Sequence, residues 1–405
     1  MVAMETARLL QYKRPLIWMI LHASLALSQN YPEVTSDEEC DCYRTNGSDA
    51  AYFTTHQFFD FRSLSEYAGV PDIIQDEWDT SHADASSDYF LSDAWTNSWG
   101  LQNWNNSDIL SQQQDDEKAG RETTSDAQYL LVNSPNNVYI EAADGDGDGD
   151  GDGATLLTMR TSRVGRFQTG AEFESTATGL HYLSVRMRAR TRGGPGAVTA
   201  MFTYRGASDL AGVEESDLEI RTGDPARKVQ YTNQPSYTAE GDEVPEATRN
   251  ATLPRGGRWS DWAAYRMDWT PTRTTHYVDG DEVAAIAFQN PRDPTQVYLN
   301  CWSDGGSWSG VMRDGQQAVL QIQWIEMVYN QTDVNDAQPP SKRDEAYDER
   351  GACQKVCSID ETDQVGTAVL IEGAEGTAST VLGFGGWLQL TFWIPLFTMF
   401  TIGMS

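Results

Sequence analysis

The strongest constraint on this chain is a period of two. Short runs alternate apolar and polar residues, among them HYLSVRMRAR (181–190), AVTAMFTY (197–204), AAYRMDW (263–269) and AVLQIQWIEMVY (318–329). In AAYRMDW, Ala263, Tyr265, Met267 and Trp269 fall on one side, and Ala264, Arg266 and Asp268 on the other. Such alternation is a strand half-buried on a core. Gly, Pro, Asn and Asp punctuate the runs, and no sustained helical period interrupts them. Many strands and few helices predict an all-β fold of two packed sheets, in one body over 36–330. At 39% apolar and 11% aromatic residues, the chain has material for a sizeable core.

The ends read differently. Arg8, Lys13 and Arg14 precede the apolar run PLIWMILHASLAL, and Ala26 and Ser28 prepare a cut before Gln29. That order predicts a secretory signal at 1–28. Residues 331–380 are polar and read as a linker or stalk, in which Cys353 and Cys357 are placed to staple a small knot. The patch AVLI (368–371) is too short to extend the body. A second apolar run at 381–405 is long enough to span a bilayer, but small residues lie upstream and no Lys or Arg follows. It reads as a lipid-anchor signal, with a membrane span as the alternative.

Secretion agrees with four glycosylation sequons, at Asn46, Asn105, Asn250 and Asn330. It also agrees with the cysteines. Cys40 and Cys42 are too close to pair with each other easily. Their partners are to be found among Cys301, Cys353 and Cys357, with one thiol left over. The repeat DGDGDGDGDG (144–153) resembles a calcium loop only in composition, because no closing Glu follows at the needed spacing. It reads as a solvated loop insertion; no cofactor is expected, and no metal ligands are assigned, though such sandwiches can carry a structural calcium ion elsewhere. A net charge of −31 argues against nucleic acid as a partner. A neutral polymer such as a polysaccharide is compatible with it. The expected partners are a polysaccharide and, through the C-terminal tail, a membrane; the chain is expected to be a monomer.

The chemistry concentrates in GVEESDLEIRTGD (212–224). On a strand, Glu215, Asp217 and Glu219 share one face, while Ser216, Leu218 and Ile220 share the other. Three like charges in register raise one another's pKa. Retaining glycoside hydrolysis uses such an arrangement, with one carboxylate as nucleophile and one carboxylic acid as proton donor. The bland alternative is a charged exterior strand. Residues i and i+4 have Cα atoms about 13 Å apart on a strand, so the two Glu side chains must lean together across Asp217.

The surroundings of this stretch are ordered in a recognisable way. GPGAVTAMFTY precedes it and KVQYTN (228–233) follows it. Then come WAAYRMDW (262–269), HYVDGDEV (276–283) and VYLNCWSDGGSWSG (297–310). Together these resemble glycoside hydrolase family sixteen, with its E-x-D-x-E strand, over about Cys40 to Asn330. In detail they look most like secreted or wall-anchored fungal members. The resemblance implies a concanavalin A-like β-jelly-roll sandwich and a β-1,3- or mixed β-1,3/1,4-glucan substrate. It implies Glu215 as nucleophile, Glu219 as general acid and then base, and Asp217 as the residue that tunes both. Many relatives carry Trp where this chain has His276, which reads here as a filler of a less apolar site.

Sugar-binding candidates are aromatics and amides, since sugars offer apolar C–H faces and hydroxyls. These are Trp302 and Trp308, flanking the SDGGS loop, with Gln230, Asn233 and Tyr237 past the acid strand. Trp95, Trp99 and Trp104 rank behind them. Hydrolysis and transglycosylation onto glucan or chitin share the acid row and are not separated by it. A sugar-binding lectin-like sandwich is the rival outside enzymology, and an acidic structural surface protein is the weakest reading.

Overall fold

A computed structural model of the protein describes residues 31–119, 125–143, 154–238, 241–332 and 353–373. The expected signal, the Asp-Gly repeat and the apolar C-terminal tail lie outside the described residues.

The alternating runs form two sheets stacked on a common core. One has strands in the order Thr248–Thr252, Lys228–Gln234, Glu214–Arg221, Val198–Arg205, Gln296–Trp302 and Phe167–Ser175. The other is built on Gln317–Gln331, Leu180–Gly193, Ala263–Trp269, Thr274–Val278 and Asp281–Ile286. This is the all-β jelly-roll sandwich that the sequence predicts. Phe167–Ser175 belongs to both sheets. Phe167 to Thr169 pair with Val164 to Ser162, and Ala171 to Glu174 pair with Cys301 to Tyr298. Gly170 sits at the corner, where a Cβ would lie 2.5 Å from Asn133 Oδ1. Strands that change sheets at a bend are how such sandwiches turn corners.

Side-chain alternation decides what each sheet faces. Leu218 and Ile220 enter the core with Met201, Leu299 and Phe173, against Val185, Met187, Tyr265, Met267 and Trp269 of the second sheet. Trp95 and Trp99 are also core, each edge-on to Phe173, at 5.0 and 5.1 Å between ring centroids. His276 is wholly buried, its ring 4.4 Å from that of Tyr231. Burial pulls its pKa down to about 3, so it stays neutral. It fills the core and is remote from solvent, in keeping with the filler reading.

Part of the expected stalk is fold. Cys353 and Cys357 do not close a knot of their own. They bond Cys42 and Cys40, with Cα–Cα distances of 5.7 Å in both pairs, and Cys301 is the buried free thiol. Val356–Ser358 runs parallel to Cys42–Arg44, and Val369–Glu372 pairs with it from the other side. Ala368 and Val369 of the AVLI patch are buried. The patch is short, but the cross-links and an ionic network supply the attachment that its area cannot.

That network occupies the outer face of the second sheet. Glu326, fully buried, accepts from both Arg186 Nη2 at 2.6 Å and His56 Nε2 at 2.9 Å. His56 Nδ1 faces Asp37 at 2.8 Å. Asp360, from the C-terminal segment, binds Arg186 at 3.0 Å and Arg266 at 3.2 Å. Arg266 is also paired with Asp268 at 2.6 Å. Burial alone would pull the His56 pKa down, but the two carboxylates outweigh it and lift it to about 9.

Candidate active site

The strand Glu214–Arg221 lies in the interior of the first sheet, between Val198–Arg205 and Lys228–Gln234. Its register places Glu215, Asp217 and Glu219 opposite Tyr204, Phe202 and Ala200 on one side and Gln234, Thr232 and Gln230 on the other. All of these project to the face away from the core. Glu214, the fourth acid of the stretch, points the other way. It is tied down by the Arg292 guanidinium at 3.1 Å and by the backbone N–H groups of Arg292 and Asp293. Its role is to fasten a loop, which separates it from the row of three.

The row opens into a pocket of about 270 Å³ that Glu215, Asp217 and Glu219 line together with Phe202, Asn300, Trp302, Glu172 and Trp104. No Lys or Arg is among the described lining residues. Glu172 is a fourth buried carboxyl in this space. It is paired across the sheet with Asn300 and accepts from Trp104 Nε1 at 2.7 Å. Burial raises its pKa. Asn300 and Asn133 are among the lining residues, and the Oδ1 of each is buried with no hydrogen-bond partner among the described residues. A wall of acceptors calls for a ligand that donates, as sugar hydroxyls do.

The acids are held in unequal states. Burial raises Glu215 to about 7, with Glu219 adding repulsion and the Asp217 hydrogen bond opposing both. Burial raises Asp217 well above its usual range, and both neighbouring glutamates push it further. Burial lifts Glu219 to about 7, against the Trp308 hydrogen bond and the Arg221 charge. Asp217 therefore keeps its proton most firmly and shares it with Glu215. That hydrogen bond favours the Glu215 anion, while burial leaves Glu215 and Glu219 both titrating near 7, so one can be ionised while the other holds a proton.

Holding Asp217 protonated costs stability. Its folded pKa exceeds its unfolded one, so the folded state binds more protons and stability falls as pH rises above about 4. Asp217→Asn removes that cost. Thermal unfolding at pH 4, 6 and 8 should show the variant gaining on the parent as pH rises. A constant difference across this range would show that burial of Asp217 is not paid for in protons.

The structure sorts the other sequence candidates. Gln230 is on the acid face, opposite Glu219. Trp302 is half-buried in the pocket wall. Trp308 is exposed above the row, and its Nε1 donates to Glu219 Oε1 at 3.1 Å. Asn233 is a correction. It pairs with Ser216 on the core face, is fully buried, donates to Phe288 O at 3.0 Å and accepts from Thr274 at 2.9 Å. Its amide ties the two sheets and is not available to a sugar. Tyr237 lies past the strand, exposed and bridged to Glu243, outside the pocket. Sequence reasoning missed Glu172, Asn300 and Phe202. AEFES (171–175) carries a signal, since Glu172 and Glu174 alternate with Ala171 and Phe173 as the acids of the main row do with their apolar neighbours.

Comparison with known families supplies the frame for this geometry. The model of the glycosyl hydrolases family 16 matches residues 126–326, which include the acid strand and the strands that floor the pocket. The chain carries a domain of that family. Among relatives, the β-glucanase of Bacillus subtilis is 23% identical over 171 residues, which are 42% of this chain and 66% of that enzyme. The Crh-like protein CRH11 of Candida albicans is 28% identical over 151 residues, 33% of this chain and 30% of that protein. The chain thus spans just under two thirds of the Bacillus enzyme and less than one third of the Candida protein. Among solved structures, a Bacillus licheniformis β-glucanase aligns at a TM-score of 0.40 and 19% identity, over 58% of this chain and 94% of its own. Within the family 16 domain, the pattern E-x-D-x-E stands at Glu215, Asp217 and Glu219.

Proposed function

We propose that this protein is a retaining glycoside hydrolase acting on β-1,3- or mixed β-1,3/1,4-glucan. The observation that carries the reading is the row of three carboxyls, unequal in protonation, opening on a pocket rich in hydrogen-bond acceptors and edged with aromatics. Glu215 attacks the anomeric carbon as Glu219 gives its proton to the departing glycosidic oxygen. Water, deprotonated by Glu219, then attacks the glycosyl ester and releases Glu215. Asp217 holds its proton throughout and steadies the Glu215 anion when it is free. The glucan substrate agrees with relatives named β-glucanase.

Transfer to a second sugar is the other outcome, a wall transglycosylase. One observation favours it. The acid face continues on both sides of the catalytic strand, with Gln230 and Thr232 on one side and Phe202 and Tyr298 on the other. An acceptor has floor to lie on.

The proposed setting is outside the cell, at the surface or in a wall, with attachment through the C-terminal tail. The two disulfides support an oxidising compartment. Asn46, Asn105 and Asn250 are exposed, as glycosylation requires, whereas the Asn330 amide is engaged with Tyr52 O at 3.2 Å.

Incubation of the purified protein with laminarin-type and mixed-linkage oligosaccharides, with and without chitin oligosaccharides, tests the proposal through product masses. Shorter products alone mean hydrolysis. Products longer than the donor, or hybrids, mean transfer. Binding without any change of mass would leave a lectin and sink the enzymatic reading.

A further inference from the structure

Trp308 is placed by its sequence to stack against sugar, but its indole does something else. Its Nε1 lies 3.1 Å from Glu219 Oε1, and the opposite side of the contact is braced. The Arg221 guanidinium lies over the Trp308 ring, 4.5 Å from its centroid. Arg221 is in turn gripped by both oxygens of Asp224, at 3.0 and 3.1 Å. The loop that carries Trp308 is fixed as well. Ser307 N donates to Asp126 at 2.8 Å, Ser309 Oγ to Asp304 at 2.9 Å, and Gly310 N to Gly306 O at 2.8 Å. Gly305 turns at φ +77°, where a Cβ would run into the Tyr129 ring.

We propose that Trp308 is a positioning residue that reserves one oxygen of Glu219 for the reaction. This rests on Glu219 being the acid and base of the proposed hydrolysis. An indole N–H can only donate. The carbonyl oxygen of a carboxylic acid is a better acceptor than its hydroxyl, so while the indole is bonded to Oε1 the transferable proton of Glu219 is favoured on Oε2. In the first step Oε2–H gives that proton to the glycosidic oxygen, the C–O bond breaks, and a Glu215 oxygen bonds the anomeric carbon. In the second step Oε2 takes a proton from the attacking water or sugar hydroxyl as its oxygen bonds that carbon, and the Glu215 ester bond breaks. Oε1 keeps the indole hydrogen bond through both steps. The carboxyl therefore need not rotate between giving and taking a proton. Arg221, stacked on the ring, holds the indole in plane with this task and adds positive charge nearby.

The reading separates from a sugar platform by a variant that keeps the ring and loses the N–H. Trp308→Phe retains an aromatic face, and the exposed position leaves the fold intact. Loss of the hydrogen bond removes a contact that favours the anion, so Glu219 should titrate higher. The alkaline limb of the kcat/KM profile should move up by about one pH unit. Turnover of unactivated glucan should fall about 10-fold, with KM little changed. Arg221→Met should move the limb in the same direction by less. A second readout needs no substrate: infrared titration of the Glu219 carboxyl, taken as the difference between each protein and its Glu219→Gln form.

An unshifted limb and carboxyl titration in Trp308→Phe, with a raised KM in Trp308→Ala, would overturn the proposal and return Trp308 to sugar stacking. A shifted carboxyl titration in a protein that turns over no glucan would keep the role of Trp308 and sink the substrate reading instead.

Discussion

Glu215→Gln should abolish glucan turnover, by more than ~10⁴-fold, the scale seen when a covalent nucleophile is removed, while binding of glucan oligosaccharides survives. The substitution is nearly isosteric and keeps the side chain opposite Tyr204 and Gln234. On the proposed mechanism it removes the anion that bonds the anomeric carbon. It also relieves charge, because Glu215 no longer repels Glu219 and no longer raises Asp217. The folded state should be at least as stable as the parent. Calorimetric titration with oligosaccharide, beside turnover and thermal unfolding, checks all three. Full activity in this variant would remove Glu215 from the mechanism, and loss of binding with loss of fold would make the row structural.

The second large effect is expected on the far side of the molecule. Glu326→Ala leaves Arg186 and His56 facing an empty space in a buried network. Removing one partner of a buried ion pair costs about 3–5 kcal/mol, so the Tm should fall by roughly 5–15 °C. Combining Glu326→Leu with Arg186→Met should recover much of the loss, since it removes a buried charge together with its partner. The same network predicts a pH response. The folded pKa of His56, about 9, lies above its unfolded value. The stability it contributes is complete below about pH 6.5 and is lost as pH rises through about 9. Unfolding followed between pH 6 and 10 should show the parent weakening over that window and His56→Gln lacking the step. A parent curve flat across the window would show that His56 carries no charge in the fold.

Much of this molecule is legible in its residues, and the limits have physical causes. Period two identifies the sheets, and it identifies Glu215, Asp217 and Glu219 as neighbours on one face, because alternation is a local property. The same rule, applied one strand further, excludes Asn233. It stands an odd number of residues from Gln230 and so faces the core, which composition alone does not reveal. Glu172 escapes a sequence reading because its partners, Trp104 and Asn300, are distant in sequence and meet only when the sheet closes. The segment 353–373 reads as a stalk because its apolar content is small. Its attachment comes instead from Asp360 and two cystines, and no local pattern announces the arginines that Asp360 meets. A protein truncated at Asn330, as the sequence alone would recommend, would leave Cys40 and Cys42 without partners.

The joining of the segments around Cys40 and Cys357 has a mechanical meaning. Residues near Cys40 and near Cys357 lie side by side and are covalently joined, on the side of the sandwich remote from the acid row. A pull applied between Tyr31 and Gly373 would run through the short paths to these cross-links and bypass every strand between them. The sheet that carries the acid row is outside the load path. Tension between those two residues would be borne by sulfur–sulfur bonds, and the pocket would keep its shape while the molecule is held under strain.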